Sequence, residues 1–450
     1  MAREIPTASR GENLRFLLAY TAATLLRGPY AHGPRGASLA ARLDATTHAL
    51  RAAQEIRRRH GGLIWMPRWT PGTTGRTLLV LAPEDVEAVL SGPAELYSPD
   101  SPDKHGMAVF QPDGLSLSRG RMRRDRRDFA EYVLDSHAPR HRLCDRITRI
   151  VRTEMTFPGQ ITHAEAGLAF RRIARRILFG DPARDDEMTT DILRALRSDA
   201  NWDVNWRAVR RLRGRRDAKL LELFTRRVSG YVRTATAGSL MSQFADAPIC
   251  ADPSGQVAQW LMAFESTTTA VLQCLALLST HPHQRAEAVR NEDYLRACFM
   301  EAVRLWDPVP SITRATTGDA DLRGAHLPED TSLLIPVGLL QRDDERLDYA
   351  DRFAPEIWLN GTAERDWTIS PFSRGEAGCP GRDLATLVAM TALSTLLRGH
   401  RYALAAPEIS ASRPLPRTID TFAIKLVALP GPVDTRAQTD QEVSQSAAGS

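Results

Sequence analysis

The segment that most constrains this chain surrounds Cys379. It reads PFSRGEAGCPGRDLA (residues 371–385) and runs into a helical pattern. Three glycines accompany the cysteine, Gly375, Gly378 and Gly381, and glycine lets a backbone approach a flat group closely. A cysteine at a helix N-terminus is favoured as thiolate by the free N–H donors and the positive end of the helix dipole. Because thiolates bind metal ions, the segment predicts a metal-binding loop; a buried structural cysteine is the alternative from this segment alone.

The composition is that of a soluble globular protein with a large core. Of the 450 residues, 43% are hydrophobic and 25% are charged, which excludes a disordered or fibrous chain. The 59 basic and 54 acidic residues leave a net charge of +5, which does not indicate the concentrated basic face of a nucleic-acid-binding protein. Five cysteines without a CxxC pair or zinc-ligand spacing indicate a reducing compartment.

The chain is expected to be a cytoplasmic protein without a transmembrane segment. Its N-terminus lacks the pattern of a secretory signal, and the most apolar segment, residues 16–26, is far below the roughly 20 residues that a membrane span needs. No repeat or linker interrupts the middle of the sequence. We therefore expect one catalytic domain over residues 13–433, between flexible tails at residues 1–12 and 434–450.

Hydrophobic periodicity predicts a mainly α-helical fold with small β-sheets. Helices are predicted over residues 39–60, 140–156, 163–179, 256–280, 292–306 and 382–398. Strands are predicted over residues 61–66, 76–81, 331–337 and 421–428. These strands place a small sheet near each end of the chain.

The cysteine segment resembles the haem-binding loop of the cytochrome P-450 family. The family pattern FxxGxxxCxG is matched by Phe372, Gly375, Cys379 and Gly381. In that family the cysteine is the axial thiolate ligand of the haem iron. The resemblance therefore implies Cys379 as the metal ligand, with the other three residues in contact with the cofactor.

A second match lies upstream, where Glu301 and Arg304 have the ExxR spacing. Residues three apart share a helical face, so the two side chains can pair. A solvated surface ion pair is the alternative from spacing alone, but the resemblance implies the buried structural pair of the family. Two arginines expected from the family are absent, because Ala377 and Ile357 occupy their places.

A third match lies in the helix predicted over residues 256–280. In the family this helix crosses the distal face of the haem, and an acid followed by an alcohol relays protons there. Glu265 and Ser266 take those places, with Thr267 as neighbour, while Met262 and Ala263 stand where smaller residues are usual. Bonding of the hydroxyl groups to carbonyls one turn earlier is the structural alternative.

A fourth match runs from Gly114 to Arg127. It resembles the stretch in which the family has an aromatic residue or histidine four positions before an arginine that binds a haem propionate. Met122 takes the aromatic place and Arg126 the arginine place, and Arg314 is similar to a second propionate partner. A planar guanidinium suits a carboxylate because it can form two hydrogen bonds at once. A solvated basic face is the alternative for any one of these arginines.

The resemblance implies a triangular, mainly helical fold of the bacterial soluble type, with haem b between the long distal helix and the cysteine loop. It also implies a monooxygenase that transfers one atom of dioxygen to an apolar or aromatic small molecule in secondary metabolism. No flavin or nicotinamide domain accompanies the segment, so a ferredoxin and its reductase are the expected electron donors, and we expect a monomer. Candidate pocket residues are Met107, Phe110, Met262, Ala263, Ile312 and Phe422.

Two other functions stay open from the sequence. The same haem-thiolate site could run peroxygenation, cyclisation or group transfer without activating dioxygen. The arginine runs Arg119–Arg127 and Arg207–Arg216 suggest, more remotely, a binding protein without catalysis. If the first run borders the proximal side of the haem, we expect some of Arg119, Arg123 and Arg127 to face solvent and to steer an acidic ferredoxin.

Overall fold

Most of the chain is α-helical, as the sequence predicts. The computed structural model describes residues 3–67, 77–203, 207–398 and 400–429, and for residues 202, 203 and 207–213 it describes the backbone alone. The side chains of most of the second arginine run, and the C-terminal tail expected at residues 434–450, therefore lie outside the described part. The α-helices are α1 (Arg10–Phe16), α2 (Ala22–Arg27), α3 (Pro34–Arg42), α4 (Ala45–His60), α5 (Pro83–Ser91), α6 (Gly120–Val133), α7 (Cys144–Glu154), α8 (His163–Phe179), α9 (Glu187–Asp203), α10 (Arg207–Arg233), α11 (Val257–Thr280), α12 (Pro282–Arg290), α13 (Glu292–Leu305), α14 (Val337–Leu340), α15 (Glu356–Leu359), α16 (Thr362–Arg365) and α17 (Arg382–Leu397).

The strands form three small sheets. They are β1 (Leu63–Met66), β2 (Thr77–Val80), β3 (Tyr97–Ser98), β4 (Gln160–Thr162), β5 (Ile312–Thr316), β6 (Ala320–Leu322), β7 (Ala325–Leu327), β8 (Ser332–Ile335), β9 (Arg401–Ala406) and β10 (Lys425–Leu429). The largest sheet has the order β1-β2-β8-β5-β3, with β2 and β8 parallel and the other neighbours antiparallel. Strands from both halves of the chain thus meet in one sheet.

Helix α11 is the centre of the larger hydrophobic core and packs against α8, α13 and α17. The stretch Pro253–Thr280, which contains α11, is long and apolar enough to cross a membrane by length and composition. Our expectation that residues 16–26 are the most apolar segment is therefore wrong. Within the protein, 72% of the most apolar window of this stretch is buried, as in the core helix of a globular fold.

The N-terminal residues are packed, so the expectation of a flexible tail is wrong for residues 3–12. The Arg3 guanidinium donates to both oxygens of the buried Asp85 carboxylate, at 2.7 and 2.9 Å. The Ala8 N–H donates to the carbonyl of Trp65 in β1. These bonds hold the chain start against the five-stranded sheet because its backbone and Arg3 find partners that sequence alone does not reveal.

The helix predicted over residues 39–60 is divided in two. Helix α3 ends at Arg42, and Asp44 takes a left-handed conformation with φ +43° before α4 begins at Ala45. Aspartate tolerates this conformation better than most residues because its short polar side chain can bond locally. The other five predicted helices keep their boundaries within a few residues.

Candidate functional site

The loop around Cys379 is a backbone-bonded turn that presents the cysteine side chain. The Cys379 N–H donates to the Phe372 carbonyl at 2.9 Å, and the Gly378 N–H donates to the Gly375 carbonyl at 2.9 Å. Gly375 has φ +68°, and a Cβ there would lie 1.9 Å from the carbonyl oxygen of Leu90. Glycine is therefore required at residue 375 by conformation and by space. Of the five cysteines, Cys379 alone is exposed.

Gly381 differs from Gly375 because the surrounding protein does not require a glycine there. The nearest heavy atom to a Cβ at Gly381 would be Leu134 Cδ1, at 3.9 Å, and its φ is −91°. Phe372 is half-buried and packs against the larger core. The loop thus leaves open space on one side of the cysteine.

Two arginines lie close to the Cys379 thiol. Although Cys379 is exposed to solvent, the protein packed around its loop raises the pKa of its thiol, whereas the Gly381 N–H and the positive charges of Arg127 and Arg382 lower it. Arg127 also donates to the Gly378 carbonyl at 2.6 Å, so α6 braces the cysteine loop directly. Within the described residues no group of three His, Cys, Asp or Glu side chains could hold a metal ion. Cys379 is therefore the metal-ligand candidate.

Three cations without carboxylate partners gather near this loop. Arg314 is 4% exposed and donates to the Ser373 hydroxyl at 3.0 Å. Arg123 is 7% exposed and its Nε is buried without a hydrogen-bond partner. The Lys104 ammonium donates to the Pro99 carbonyl at 2.7 Å. None of the three forms an ion pair with a carboxylate in the part of the chain that the structure describes.

This cation cluster, Lys104, Arg123 and Arg314, favours a bound anion. Burial first, and then repulsion from the other two cations, lowers the pKa of Lys104 to about 8. The same causes, with Arg123 as the repelling charge, lower the pKa of Arg314 to about 10. A bound dianion would relieve both the burial cost and the repulsion. The cluster also supplies cations that the alanine at residue 377 does not.

Arg126 is not part of this cluster. Its Nη2 lies 2.9 Å from the Asp252 carboxylate and 3.3 Å from that of Asp113, so its charge is already matched. The arginine of α6 that lies beside Arg314 is Arg123, one turn earlier. Of the arginines expected to face solvent, Arg119 is exposed, whereas Arg123 is buried and Arg127 is bonded to the cysteine loop, so the expectation is wrong for the last two.

Glu301 and Arg304 form a fully buried pair on α13. Both residues are 0% exposed, and Arg304 donates to the two carboxylate oxygens at 2.7 and 2.6 Å. Its remaining N–H groups reach backbone carbonyls, including that of Gln341 at 2.6 Å. Since every strong donor has an acceptor, the buried charges are compensated in the way that such a pair needs.

The carboxylate of Glu301 receives two further hydrogen bonds. The Ala354 N–H donates at 2.9 Å, and the Trp358 Nε1–H donates at 2.9 Å. Ile357, in the place of the family's third charged partner, is buried in a small apolar cluster instead. The indole of Trp358 is therefore the donor that replaces the missing arginine, and sequence reasoning did not find it.

The polar residues of α11 face in two directions. Glu265 lies on the wall of a large cavity, and its carboxylate is 2.5 Å from a guanidinium nitrogen of Arg197 on α9. Ser266 lies on the same wall. Thr267 is buried, and its hydroxyl donates to the Ala263 carbonyl at 2.9 Å. The structural alternative weighed for this hydroxyl run thus holds for Thr267.

Comparisons with known proteins agree with this geometry. The sequence model of the cytochrome P-450 family matches residues 262–416, which include the distal helix, the ExxR pair and the cysteine loop. This segment of the chain is therefore similar to the cytochrome P-450 family. Among curated relatives, the mitochondrial 1,25-dihydroxyvitamin D(3) 24-hydroxylase of Mus musculus is 32% identical over 161 residues, 31% of this chain and 30% of that protein.

Other relatives extend the comparison to plants and to solved structures. The flavonoid-6-hydroxylase of Mentha piperita is 31% identical over 164 residues, 31% of this chain and 32% of that protein. The matched region spans about a third of the curated relatives' length. A six-coordinated cytochrome P-450 from Thermus thermophilus covers 85% of this chain and 98% of its own, with a TM-score of 0.64 and 19% identity. That likeness confirms the predicted fold.

The cytochrome P-450 family implies a haem b whose iron is held by a cysteine thiolate, and the site fits this cofactor. Cys379 presents an exposed thiol, and the open space beside Gly381 admits a flat group. The unmatched charges of the cation cluster suit the two propionates of a haem. Cys379 would hold the iron, and Arg123, Arg314 and Lys104 would hold the propionates.

One of the predicted pocket residues lines the large cavity, and three others lie in the hydrophobic cores. Phe422 lies on the wall of the large cavity, where its ring is 4.3 Å from that of His163. Met107, Phe110 and Ile312 are each at most 7% exposed within the hydrophobic cores and do not line this cavity, so their role in a substrate pocket stays a prediction.

Two further pocket candidates lie on α11. Met262 is half-buried against the larger core, and Ala263 is exposed.

Proposed function

We propose that the protein is a haem-thiolate monooxygenase acting on an apolar or aromatic small molecule. The observation that carries the proposal is the exposed Cys379 in a loop beside three buried or half-buried cations that have no carboxylate partner among the described residues. When bound, a thiolate-ligated haem supplies dioxygen activation, in which two electrons and two protons deliver one oxygen atom to the substrate and one to water.

The protein's own residues bind, orient and supply protons. Gly375 and the carbonyl bonds of the loop fix the position of Cys379, and Gly381 leaves room for the cofactor plane. The ion pair with Arg197 holds the Glu265 carboxylate on the cavity wall next to Ser266. We assign proton delivery to Glu265 and Ser266.

Thr267 has a secondary part in this assignment. Its hydroxyl hydrogen is committed to a carbonyl of α11, but its oxygen can still accept a hydrogen bond. We therefore place Thr267 as an acceptor beside the proton path.

We further propose a cytoplasmic enzyme of the bacterial soluble type that works in secondary metabolism. Its electrons come from a ferredoxin and a ferredoxin reductase. Support comes from α6, the helix that braces the cysteine loop, where the side chains of Arg121 and Arg124 are 88% and 59% exposed; an acidic partner would compete for them with Asp125 and Glu95, with which they pair. An acidic protein would be attracted to such a surface, and the attraction would weaken as salt rises.

A second candidate is haem-thiolate chemistry that does not activate dioxygen. It is favoured because two of the groups assigned to proton delivery already have partners: Glu265 is ion-paired with Arg197, and the Thr267 hydroxyl is bonded to the Ala263 carbonyl. The stoichiometry separates the candidates. A monooxygenase consumes one dioxygen and one two-electron reductant per product, whereas the second candidate forms product from peroxide or without any oxidant.

The carbon monoxide difference spectrum of the reduced haem protein tests the thiolate site. The wild type should show the red-shifted band of a haem-thiolate protein, and Cys379→Ala should lose it. Cys144→Ala is the matched control, because Cys144 is half-buried at the start of α7, and it should keep the band. A band that survives Cys379→Ala would refute the proposal, and a purified protein that binds no haem would favour the non-catalytic binding protein.

A further inference from the structure

The large cavity beside α11 has an excess of positive charge. Its volume is about 480 Å³, within the range of pockets for small molecules. Arginines from four parts of the chain lie on its wall: Arg27, Arg171, Arg194, Arg197 and Arg417. The carboxylic acids on the same wall are Glu265 and Asp307.

The two acids do not balance the arginines. Glu265 is ion-paired with Arg197 at 2.5 Å. Burial raises the pKa of Asp307 to about 8, although the Val309 N–H and the Gln341 amide oppose the shift. Burial thus disfavours the negative charge of Asp307, and a single carboxylate there would in any case not balance both Arg27 and Arg171.

Two of the arginines are neutralised from outside the cavity. Arg194 pairs with Asp191 at 2.5 Å on the surface of α9. Arg417 pairs with Asp344 at 2.9 Å and with Asp351 at 2.5 Å. Their charges are matched before any ligand enters.

Arg27 and Arg171 keep unmatched charges. The only hydrogen bond from the Arg27 side chain to a described residue is a long one, 3.4 Å to the Thr46 hydroxyl. Burial lowers the pKa of Arg27, which means that its charge lacks full solvation, yet a guanidinium stays protonated. Arg171 forms neither an ion pair nor a side-chain hydrogen bond with the residues that the structure describes.

The remainder of the wall is apolar in large part. Aromatic and aliphatic side chains come from α8, α11 and the loop before β10: Phe170, Leu261, Phe264 and Phe422. A ligand that fills this space would bury an apolar body against these side chains and leave a charged end near the unmatched arginines.

We propose that the substrate is a small organic carboxylate with an apolar body, anchored by Arg27 and attracted also by Arg171. The proposal rests on the proposed function and narrows its substrate class. Arg27 is a binding residue in this assignment, because its planar guanidinium can form two hydrogen bonds with a carboxylate. Arg171 adds a second positive charge on the same wall.

The test compares acids with their uncharged amides of nearly identical shape. Decanoate is paired with decanamide, and 4-phenylbutanoate with 4-phenylbutanamide. Binding to the haem-loaded protein is measured by titration calorimetry at pH 7 and low salt, so that the readout does not depend on turnover. At least one acid should bind ten times more tightly than its amide, and Arg27→Met should abolish that preference without weakening the amide.

The controls separate a local contact from a change in net charge. Arg172→Met removes the same charge from the next position of α8, where the side chain pairs with Asp185, and it should leave the preference intact. Arg27→Lys should keep part of the preference, and Arg171→Met should reduce it. If no acid binds ten times more tightly than its amide, or if Arg172→Met removes the preference as fully as Arg27→Met, the proposal is overturned. Loss of the thiolate spectrum would instead refute the proposed function, because calorimetry reads the cavity independently.

Discussion

Replacing Trp358 by phenylalanine should destabilise the protein through the buried Glu301. The carboxylate is 0% exposed, and its hydrogen bonds come from Arg304, the Ala354 N–H and the indole of Trp358 at 2.9 Å. Trp358→Phe removes the indole donor and keeps an aromatic ring in the site. Because a hydrogen bond to a charged group contributes about 1.5–3 kcal/mol, the loss in unfolding free energy should be about 2 kcal/mol.

Urea denaturation followed by circular dichroism measures this loss. The matched control is Trp367→Phe, because the Trp367 ring packs against Arg374 and its Nε1 has no hydrogen-bond partner among the described residues. The control should cost less than about 1 kcal/mol, in the range of an exposed cation–π contact. If the two variants unfold at the same urea concentration, Glu301 does not depend on the indole and the interpretation of Trp358 is wrong.

Three further predictions concern the cysteine loop, the cation cluster and the cavity. Gly375→Ala should lower the unfolding free energy by more than about 2 kcal/mol, because the left-handed backbone and the nearby Leu90 carbonyl both oppose a side chain there. Gly381→Ala should leave the stability of the apoprotein unchanged, and equal losses for the two variants in urea denaturation would contradict this prediction. Arg123→Met should accelerate haem transfer to apomyoglobin about tenfold, as expected for one lost charged hydrogen bond, whereas Arg126→Met should not. If haem instead leaves the Arg126→Met variant faster, Arg126 is the residue that binds a propionate. Asp307→Asn should stabilise the protein increasingly between pH 4 and pH 8. The folded-state pKa of Asp307, about 8, lies above the unfolded value of 3.8, so the wild type loses stability as pH rises through that window and the variant does not. A stability difference between the two proteins that does not change with pH would refute the raised pKa.

Local rules made much of the fold predictable. Helices α8, α13 and α17 begin and end within a residue of their predicted bounds, since a 3.6-residue apolar period and end signals are written in the contiguous sequence. The strand predictions near residues 63 and 332 succeeded for the same reason, yet their meeting in one sheet could not be derived from periodicity. Strand pairing across so long a separation depends on how the intervening helices pack.

Groups whose members lie a few positions apart in the chain could be predicted from the sequence. Gly375 and Cys379 share one loop, and Glu301 and Arg304 share one helical face, so neighbours along the chain remain neighbours in the fold. These residues carry the haem-site assignment because their geometry is local.

Which charges from distant parts of the chain come into contact depends on how the fold packs. Arg126 pairs with Asp252, whereas Arg123 pairs with no carboxylate among the described residues, although both arginines lie in the same basic run. The Trp358 indole donates to Glu301, which lies 57 positions earlier in the chain. Arg27 lies on the cavity wall without forming an ion pair with a carboxylate of the described residues. The free energy of a charge depends on burial and on partners within a few ångströms, and both are properties of the packed chain rather than of its local sequence.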